Sequence, residues 1–159
     1  LLFILILHIG NAIKLTLENK AANPIGYNQS GANDVSSLKS RTMLISGSTI
    51  LLFIILHLGY IWLSYQTHNS TNNIETYYDI LLRDQFGFLG HKWTALFYIF
   101  AILQIGYHLR HGFESALKTF GILPNSKVSF LYNLAILFWG IIPLGFIIII
   151  ISIQLGIIN

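Results

Sequence analysis

The sequence contains no cysteine and very little charge. Only 9% of its 159 residues are Asp, Glu, Lys or Arg, whereas 54% are hydrophobic. The absence of cysteine excludes disulfides, thiolate nucleophiles, and iron–sulfur or zinc–thiolate sites built from this chain alone. Soluble domains carry about 25% charged residues, so this chain has too little charge for a surface that faces water. A mean hydropathy of +0.66 agrees with a lipid bilayer as the solvent.

The apolar residues are concentrated in four long segments. These run from Leu1 to about Leu17, from Thr42 to about Leu63, from Trp93 to Thr119, and from Phe130 to about Ile158. A membrane-spanning helix needs about 20 residues, and the last three segments reach that length. The sequence therefore predicts an all-α transmembrane helical bundle with four visible membrane segments in a single domain over residues 1–159. The chain opens inside an apolar run, so we expect the first segment to be partial and the N-terminal part of the protein to be missing.

Glycine and proline mark the expected ends and bends of these helices. The third segment should pass through its polar residues 108–112 as helix and end near Gly121 and Pro124. Pro143 lies inside the fourth segment, where it should kink the helix rather than end it, because neighbouring helices can satisfy the freed carbonyl.

Basic residues are unevenly distributed between the loops. Residues 18–41 and 110–127 carry an excess of Lys and Arg, whereas residues 64–92 do not. Positive loops face the cytoplasm, so we expect the first two stretches on that side. This topology accounts for the sequence pI of about 9.2 without any binding to nucleic acid.

Three histidines lie well inside the apolar segments: His8, His57 and His108. Ionisable side chains at membrane depth are costly and usually functional, and an imidazole away from water needs partners for both nitrogens. A purely structural histidine is the simpler alternative for each one. That alternative becomes much weaker for three histidines in one small chain.

Small or short side chains share the helical face of each histidine. They are Asn11 and Ala12 beside His8, Gly47 and Ile50 beside His57, and Ala101, Gln104, Gly112 and Ser115 beside His108. Such residues leave room for a large flat group. The alternative is that they let helices pack closely, which would explain the glycines but not the histidines.

Depth in the membrane suggests how the histidines pair. At about 1.5 Å per residue, His8 and His108 lie roughly 16–20 Å from the cytoplasmic ends of their helices, near Asn19 and Gly121. Two histidines at one depth can clamp a planar macrocycle such as haem b from both faces. His57 lies roughly 24 Å from Arg41, nearer the outer side, and has no counterpart in the chain. Ligation by two histidines leaves no open iron position, so the chemistry would be electron transfer. Each imidazole should donate its other N–H to a carbonyl or side chain one turn away.

Three stretches of the chain resemble a known family. They are LHIGNAIKLTLENKAANP at Leu7–Pro24, ISGSTILLFIILH at Ile45–His57 and HLRHGFESALKTFGI at His108–Ile122. They resemble the cytochrome b558-type membrane-anchor subunit of succinate dehydrogenase and fumarate reductase, in its single-chain, di-haem form from Bacteroidota-like bacteria. The resemblance covers essentially the whole chain. It implies a five-helix, multi-pass anchor in the bacterial inner membrane, surrounded by membrane lipid and carrying two haems b.

The resemblance also implies roles for individual residues and partners. His8 and His108 would ligate the haem nearer the cytoplasmic subunits. His57 would ligate the outer haem, whose second ligand would belong to a helix before Leu1. Electrons from succinate would pass through a flavoprotein subunit and an iron–sulfur subunit into this anchor and on to quinone, or in reverse during fumarate reduction. The anchor itself would not act on succinate.

Further polar residues have weaker predicted roles. His111 is a second candidate for the ligand on the third segment, although the resemblance favours His108. Four basic residues could pair with haem propionates, or simply follow the positive-inside rule: Lys39, Arg41, Arg110 and Lys118. Three residues at the entry to the third segment could contribute to a quinone pocket, or form an interfacial belt: His91, Lys92 and Trp93.

Two other functions compete with this hypothesis. One is a di-haem cytochrome b subunit of another quinone-linked enzyme, such as a formate dehydrogenase or hydrogenase. The other is a haem-free membrane transporter whose histidines relay protons. A proton relay needs carboxylates inside the span, and every Asp and Glu of this sequence lies in a loop or at a predicted helix end.

Overall fold

A computed structural model of the chain describes residues 2–22, 42–70, 76–121 and 126–158. These residues form helices and short turns with no strand among them, which confirms the all-α class. The helices are α1 (Leu2–Ala22), α2 (Met43–Leu56), α3 (Leu63–Ser70), α4 (Tyr77–Leu81), α5 (Lys92–Thr119), α6 (Ser126–Ile136) and α7 (Ile142–Gln154). Two π-helical segments complete the longer rods. The first, His57–Trp62, joins α2 to α3, and the second, Leu137–Ile141, joins α6 to α7.

The chain divides into two compact units, Leu1–Ile45 and Ser46–Asn159. Helix α1 belongs to the first unit and presents mostly exposed apolar side chains. It continues to Ala22, past the end predicted near Leu17 to Asn19. Lys14 and Glu18, 3.8 Å apart, form an i,i+4 ion pair that supports a helix through these polar residues.

Three helical stretches among the described residues are long and apolar enough to cross a membrane: Leu2–Asn19, Met43–His68 and Phe130–Gln154. They support the predicted membrane protein. Helix α5 has 28 residues but is not one of the three, because polar residues such as Gln104, His108 and Arg110 lower its hydropathy. The predicted bundle of four membrane segments is therefore not confirmed.

Helix α5 is the centre of the second unit. Its buried residues recur every three to four positions and so form one face: Thr94, Ala95, Tyr98, Ala101, Ile102 and Gly106. Ala95, Tyr98 and Ile102 pack against Ile150 of α7 in the hydrophobic core. Most other large apolar side chains are exposed, as expected where lipid replaces water around a bundle.

The chain remains helical through Pro143, as the sequence predicts. The second π-helical segment directly precedes this proline. Pro143 has no N–H to donate to the carbonyl of Trp139, four residues earlier. Gly106 of α5 lies against that carbonyl, since a Cβ added to it would be 2.6 Å from the Trp139 oxygen. The two backbones can approach this closely only because residue 106 lacks a side chain.

The turn over residues 82–91, at the start of α5, is fixed by side-chain hydrogen bonds. Nε2 of Gln154 donates to the carbonyls of Leu89 and Gly90 at 2.8 and 3.0 Å. The backbone N–H of Gly87 donates to Oγ1 of Thr94 at 3.0 Å. Gly87 has a φ of +100° and lies against the ring of Tyr60, so a side chain there would collide with that ring.

Most helix ends lie within a few residues of their predicted positions. Helix α5 spans Lys92–Thr119, against the predicted Trp93 to Thr119, and Gly121 follows it with a left-handed φ of +68°. The last rod begins at Ser126 rather than Phe130 and ends at Gln154 rather than near Ile158. The second rod continues to Ser70, beyond the predicted Leu63.

Candidate functional site

Two of the three predicted ligand histidines lie along one pair of helices. Ser46, near the start of α2, contacts His108 in the second half of α5. Phe53, later in α2, packs against Tyr98 in the first half of α5. These contacts make the two helices antiparallel, and we call the boundary between them the α2–α5 seam.

At the His108 end of this seam, the imidazole is held by a serine of the other helix. Oγ of Ser46 and Nδ1 of His108 are 3.1 Å apart, and Ser46 is fully buried. The sequence predicts such a hydrogen bond for a metal-ligating imidazole, but from a group one turn away. The partner instead comes from 62 residues earlier in the chain. With Nδ1 bonded in this way, Nε2 is the nitrogen that would coordinate a metal.

Gly47 lies beside His108, not beside His57 as the sequence analysis expected. A Cβ added to Gly47 would be 3.7 Å from Cε1 of His108, an ordinary van der Waals distance. The helical face was assigned from spacing alone, which ignores level along the axis. Ten residues separate Gly47 from His57, about 15 Å of helix, and the antiparallel packing brings this end of α2 to the level of His108.

At the other end of the seam, His57 belongs to a cluster of three rings. Phe53 stacks on His57 with ring centroids 5.4 Å apart, and Tyr98 lies 5.0 Å from Phe53 and 6.1 Å from His57. Nδ1 of His57 and the hydroxyl of Tyr98 are both buried, and neither has a hydrogen-bond partner among the described residues. A buried polar atom without a partner costs about 1–3 kcal/mol, so this cluster favours a ligand or an ordered water.

The two histidines of the seam lie at different heights along the helix axis. Eleven residues of helix separate the level of Ser46 and His108 from that of His57, which corresponds to about 16 Å along the axis. Imidazoles this far apart cannot ligate the same iron from its two faces. Any metal group at His57 is therefore distinct from one at His108.

His8 lies on α1, in the first unit, where its side chain is exposed. It is about 21 Å from the end of α1, and His108 is about 17 Å from the end of α5. The pairing of His8 with His108 stays a prediction.

The predicted propionate partners on α5 have different surroundings. Nε of Arg110 donates to Oε1 of Glu114 at 3.0 Å, and the guanidinium carbon lies 5.1 Å from the centre of the Trp139 ring. Lys118 is exposed in the last turn. Gly112 is also exposed, and among the described residues no atom lies within 4 Å of a Cβ added there. Lys39 and Arg41 lie outside the described residues.

The predicted quinone residues are at the start of α5. Nδ1 of His91 lies 3.2 Å from Oγ1 of the buried Thr94, while Lys92 and Trp93 are exposed, Trp93 by 70%. This exposure is typical of an interfacial aromatic residue. None of the three lines the open groove of about 450 Å³ between α5 and the second π-helical segment, which is bordered by Gly106, Arg110 and Trp139.

No cluster of three or more His, Asp or Glu side chains that could hold a metal ion occurs in the described part of the chain. Haem iron differs from such sites because axial ligation by two histidines is sufficient. In comparisons with known proteins, no family model, curated protein or solved structure matches this chain.

Sequence reasoning missed two residues of the seam, Ser46 and Tyr98. Both carry a hydroxyl inside an apolar stretch, and a polar group at that depth requires a partner. That requirement could have drawn attention to them. The histidine that each hydroxyl approaches depends on how the helices pair. The spacing of residues along the sequence does not specify that pairing.

Proposed function

We propose that this chain is a haem b-containing membrane-anchor subunit of a succinate:quinone oxidoreductase. The observation that carries the proposal is the hydrogen bond between Ser46 and His108 inside an apolar helix pair. It supplies the oriented imidazole that axial ligation of haem requires. The resemblance of three stretches to the cytochrome b558-type anchors supplies the family.

The residues of the seam fit the proposed group in their chemistry. His108 and His57 are the imidazoles that would hold two haems, at two levels of the helix pair. Ser46 orients the ring of His108, and Phe53 and Tyr98 pack against the ring of His57. Haem, when bound, supplies reversible one-electron transfer. The packing of an imidazole against Phe53 and Tyr98 supports a second group at that level, because an ionisable side chain in an apolar stretch is costly and usually functional.

The remaining parts of the proposal follow from the family resemblance. His8 would be the second ligand of the haem at His108. A flavoprotein subunit and an iron–sulfur subunit would bind on the cytoplasmic side of the bacterial inner membrane, and quinone would be the membrane substrate. In this arrangement α5 would be a fourth membrane segment, with its polar residues facing the haem and the subunit contacts.

The first test is the haem content of the protein, purified from its native membrane with its partners. A reduced-minus-oxidised spectrum should show b-type haem. His108→Ala and His8→Ala should each remove the same haem, and His57→Ala should remove the other. His111→Ala is the matched control, because it lies one turn from His108 and should retain both haems. A wild-type protein without haem absorbance refutes the proposal, and loss of haem in His111→Ala alone would transfer the ligand role to that residue.

Co-purification tests the partners. We expect a flavoprotein and an iron–sulfur subunit in stoichiometric amounts, with succinate-dependent reduction of the haem. Recovery with a hydrogenase or formate dehydrogenase instead would assign the chain to another class of di-haem cytochrome b. A haem-free protein that transports a substrate would support the transporter hypothesis.

A further inference from the structure

Each helix of the α2–α5 seam places a hydroxyl-bearing residue beside a histidine of the other helix. Ser46 of α2 contacts His108 of α5, while Tyr98 of α5 lies against His57 at the end of α2. We infer that Ser46 and Tyr98 are a reciprocal pair of positioning residues, each setting the orientation and electron-donating strength of the imidazole on the opposite helix. This inference rests on the proposed function, because it concerns imidazoles that ligate haem.

The Ser46 half of the pair is formed in the structure. A fully buried serine at 3.1 Å from Nδ1 can accept the N–H of a neutral imidazole, which fixes the tautomer and directs Nε2 away from the bond. Gly47 follows directly and lies beside the Cε1 edge of the ring.

The Tyr98 half depends on two buried atoms that lack partners. In a regular α-helix the nearest acceptor for Nδ1 of His57 would be the carbonyl of Phe53, and the structure forms no such bond within its described residues. The hydroxyl of Tyr98, only 5% exposed, belongs to an adjacent ring and is equally unsatisfied. One hydrogen bond between them, direct or through one buried water, satisfies both atoms. The apolar side chains packed around Tyr98 include Phe53, Phe97 and several aliphatic residues.

Each hydroxyl should change the redox property of only one haem. An acceptor for Nδ1–H makes the imidazole a stronger electron donor, which stabilises oxidised iron. Removal of the acceptor should therefore raise the midpoint potential of the haem at that level. Loss of one hydrogen bond typically changes an equilibrium about two- to tenfold, and tenfold corresponds to about 59 mV for one electron.

The experiment is a redox titration of the purified complex, with electron paramagnetic resonance of the oxidised haems as a second readout. Ser46→Ala should raise the potential and shift the g-values of the haem at His108 alone. Tyr98→Phe should do the same for the haem at His57 alone. The controls are Ser48→Ala and Tyr78→Phe, whose side chains are exposed, and both should leave the two potentials unchanged. Haem content should stay at the wild-type level in all four variants.

Packing is separated from hydrogen bonding by the isosteric pair Ser46→Thr and Ser46→Val. The threonine variant should keep the wild-type potential and the valine variant should not. If haem is bound but neither Ser46→Ala nor Tyr98→Phe changes a potential or a g-value, the inference is wrong while the proposed function stands. A complex that contains no haem at all would instead overturn the proposed function.

Discussion

Helix α5 packs against α2 on one side and against the α6–α7 rod on the other, and the two sides are built differently. Toward α2 it presents polar groups, with His108 bonded to Ser46 and Tyr98 beside His57. Toward the α6–α7 rod, Ile102 lies near Ile150 and Gly106 lies against the carbonyl of Trp139. Nearer its end, α5 also makes polar contacts with this rod, since Arg110 stacks on Trp139 and Tyr132 donates to Glu114. The histidine contacts therefore lie on the α2 side, and the closest approach of backbones lies on the other.

The difference indicates which substitutions should affect function and which should affect folding. Small residues on the α7 side are explained by close helix packing, as in other membrane bundles. On the α2 side, close packing does not explain a buried serine bonded to an imidazole. The predictions below test whether the two sides can be changed independently.

The largest effect should come from Gly106→Ala. The new Cβ would lie 2.6 Å from the carbonyl oxygen of Trp139, so the backbones must separate. Overpacking of this kind costs about 1–3 kcal/mol, and we expect a lower thermal unfolding midpoint in detergent. If the protein binds the two proposed haems, both should be lost together as it unfolds.

Gly145→Ala is the matched control for this substitution. Gly145 is a glycine of α7 with no atom of the described residues within 4 Å of an added Cβ. Alanine should therefore be neutral or slightly stabilising there, since it is the better helix former. If Gly106→Ala were stable but lost one of the two proposed haems, the α7 side would also form part of the cofactor site, and the two sides would not be independent.

Gln154→Ala should have a smaller and local effect. It removes the two hydrogen bonds to the carbonyls of Leu89 and Gly90, each worth about 0.5–1.5 kcal/mol. Amide hydrogen exchange should show faster opening of the turn at Leu89 and His91, while the spectrum of the proposed haems stays unchanged. Gln66→Ala, an exposed glutamine on α3, should leave the same amides protected. Equal exchange in both variants would mean that Gln154 does not hold the turn.

The smallest effect concerns Asp79, outside the membrane-spanning stretches. Its carboxylate accepts hydrogen bonds from N–H and Oγ1–H of Thr76, and these bonds lower the pKa of Asp79 below its usual range. The bonds therefore stabilise the start of α4 fully above pH about 4, and this contribution disappears as the pH falls through the lowered pKa. In an NMR titration, Thr76→Ala should raise the pKa of Asp79 toward its usual range, while Thr119→Ala should not change it. An unchanged pKa in Thr76→Ala would rule out this capping interaction.

The sequence was sufficient to predict the helices but not their pairing. The end of α5 is encoded locally by Gly121, which follows it with a left-handed φ, and its start at Lys92 lies one residue from the predicted Trp93. The later end of α1 was missed because Glu18 and Lys20 look like a loop, although polar residues continue a helix without difficulty when i,i+4 pairs support them.

The candidate site was predictable in its histidines and not in their surroundings. His57 and His108 are conspicuous because imidazoles are rare at membrane depth. The contact between Ser46 and His108 joins residues 62 positions apart. Helical periodicity relates residues within one segment and cannot predict a contact between two segments. Gly47 was assigned to the wrong histidine for the same reason.

The first π-helical segment has a consequence for the geometry of the second rod. A π turn holds one more residue than an α turn, so each such segment rotates everything beyond it by about 100° relative to an uninterrupted α-helix. Trp62, Tyr65 and His68 therefore do not face the directions that regular α-helical spacing from Ser46 and Phe53 would give them. Deleting a single residue between 57 and 62 would restore a regular α turn and leave the distal third of the rod facing as it does now. The same deletion in the α-helical part of the rod would turn that third by about 100° around its axis.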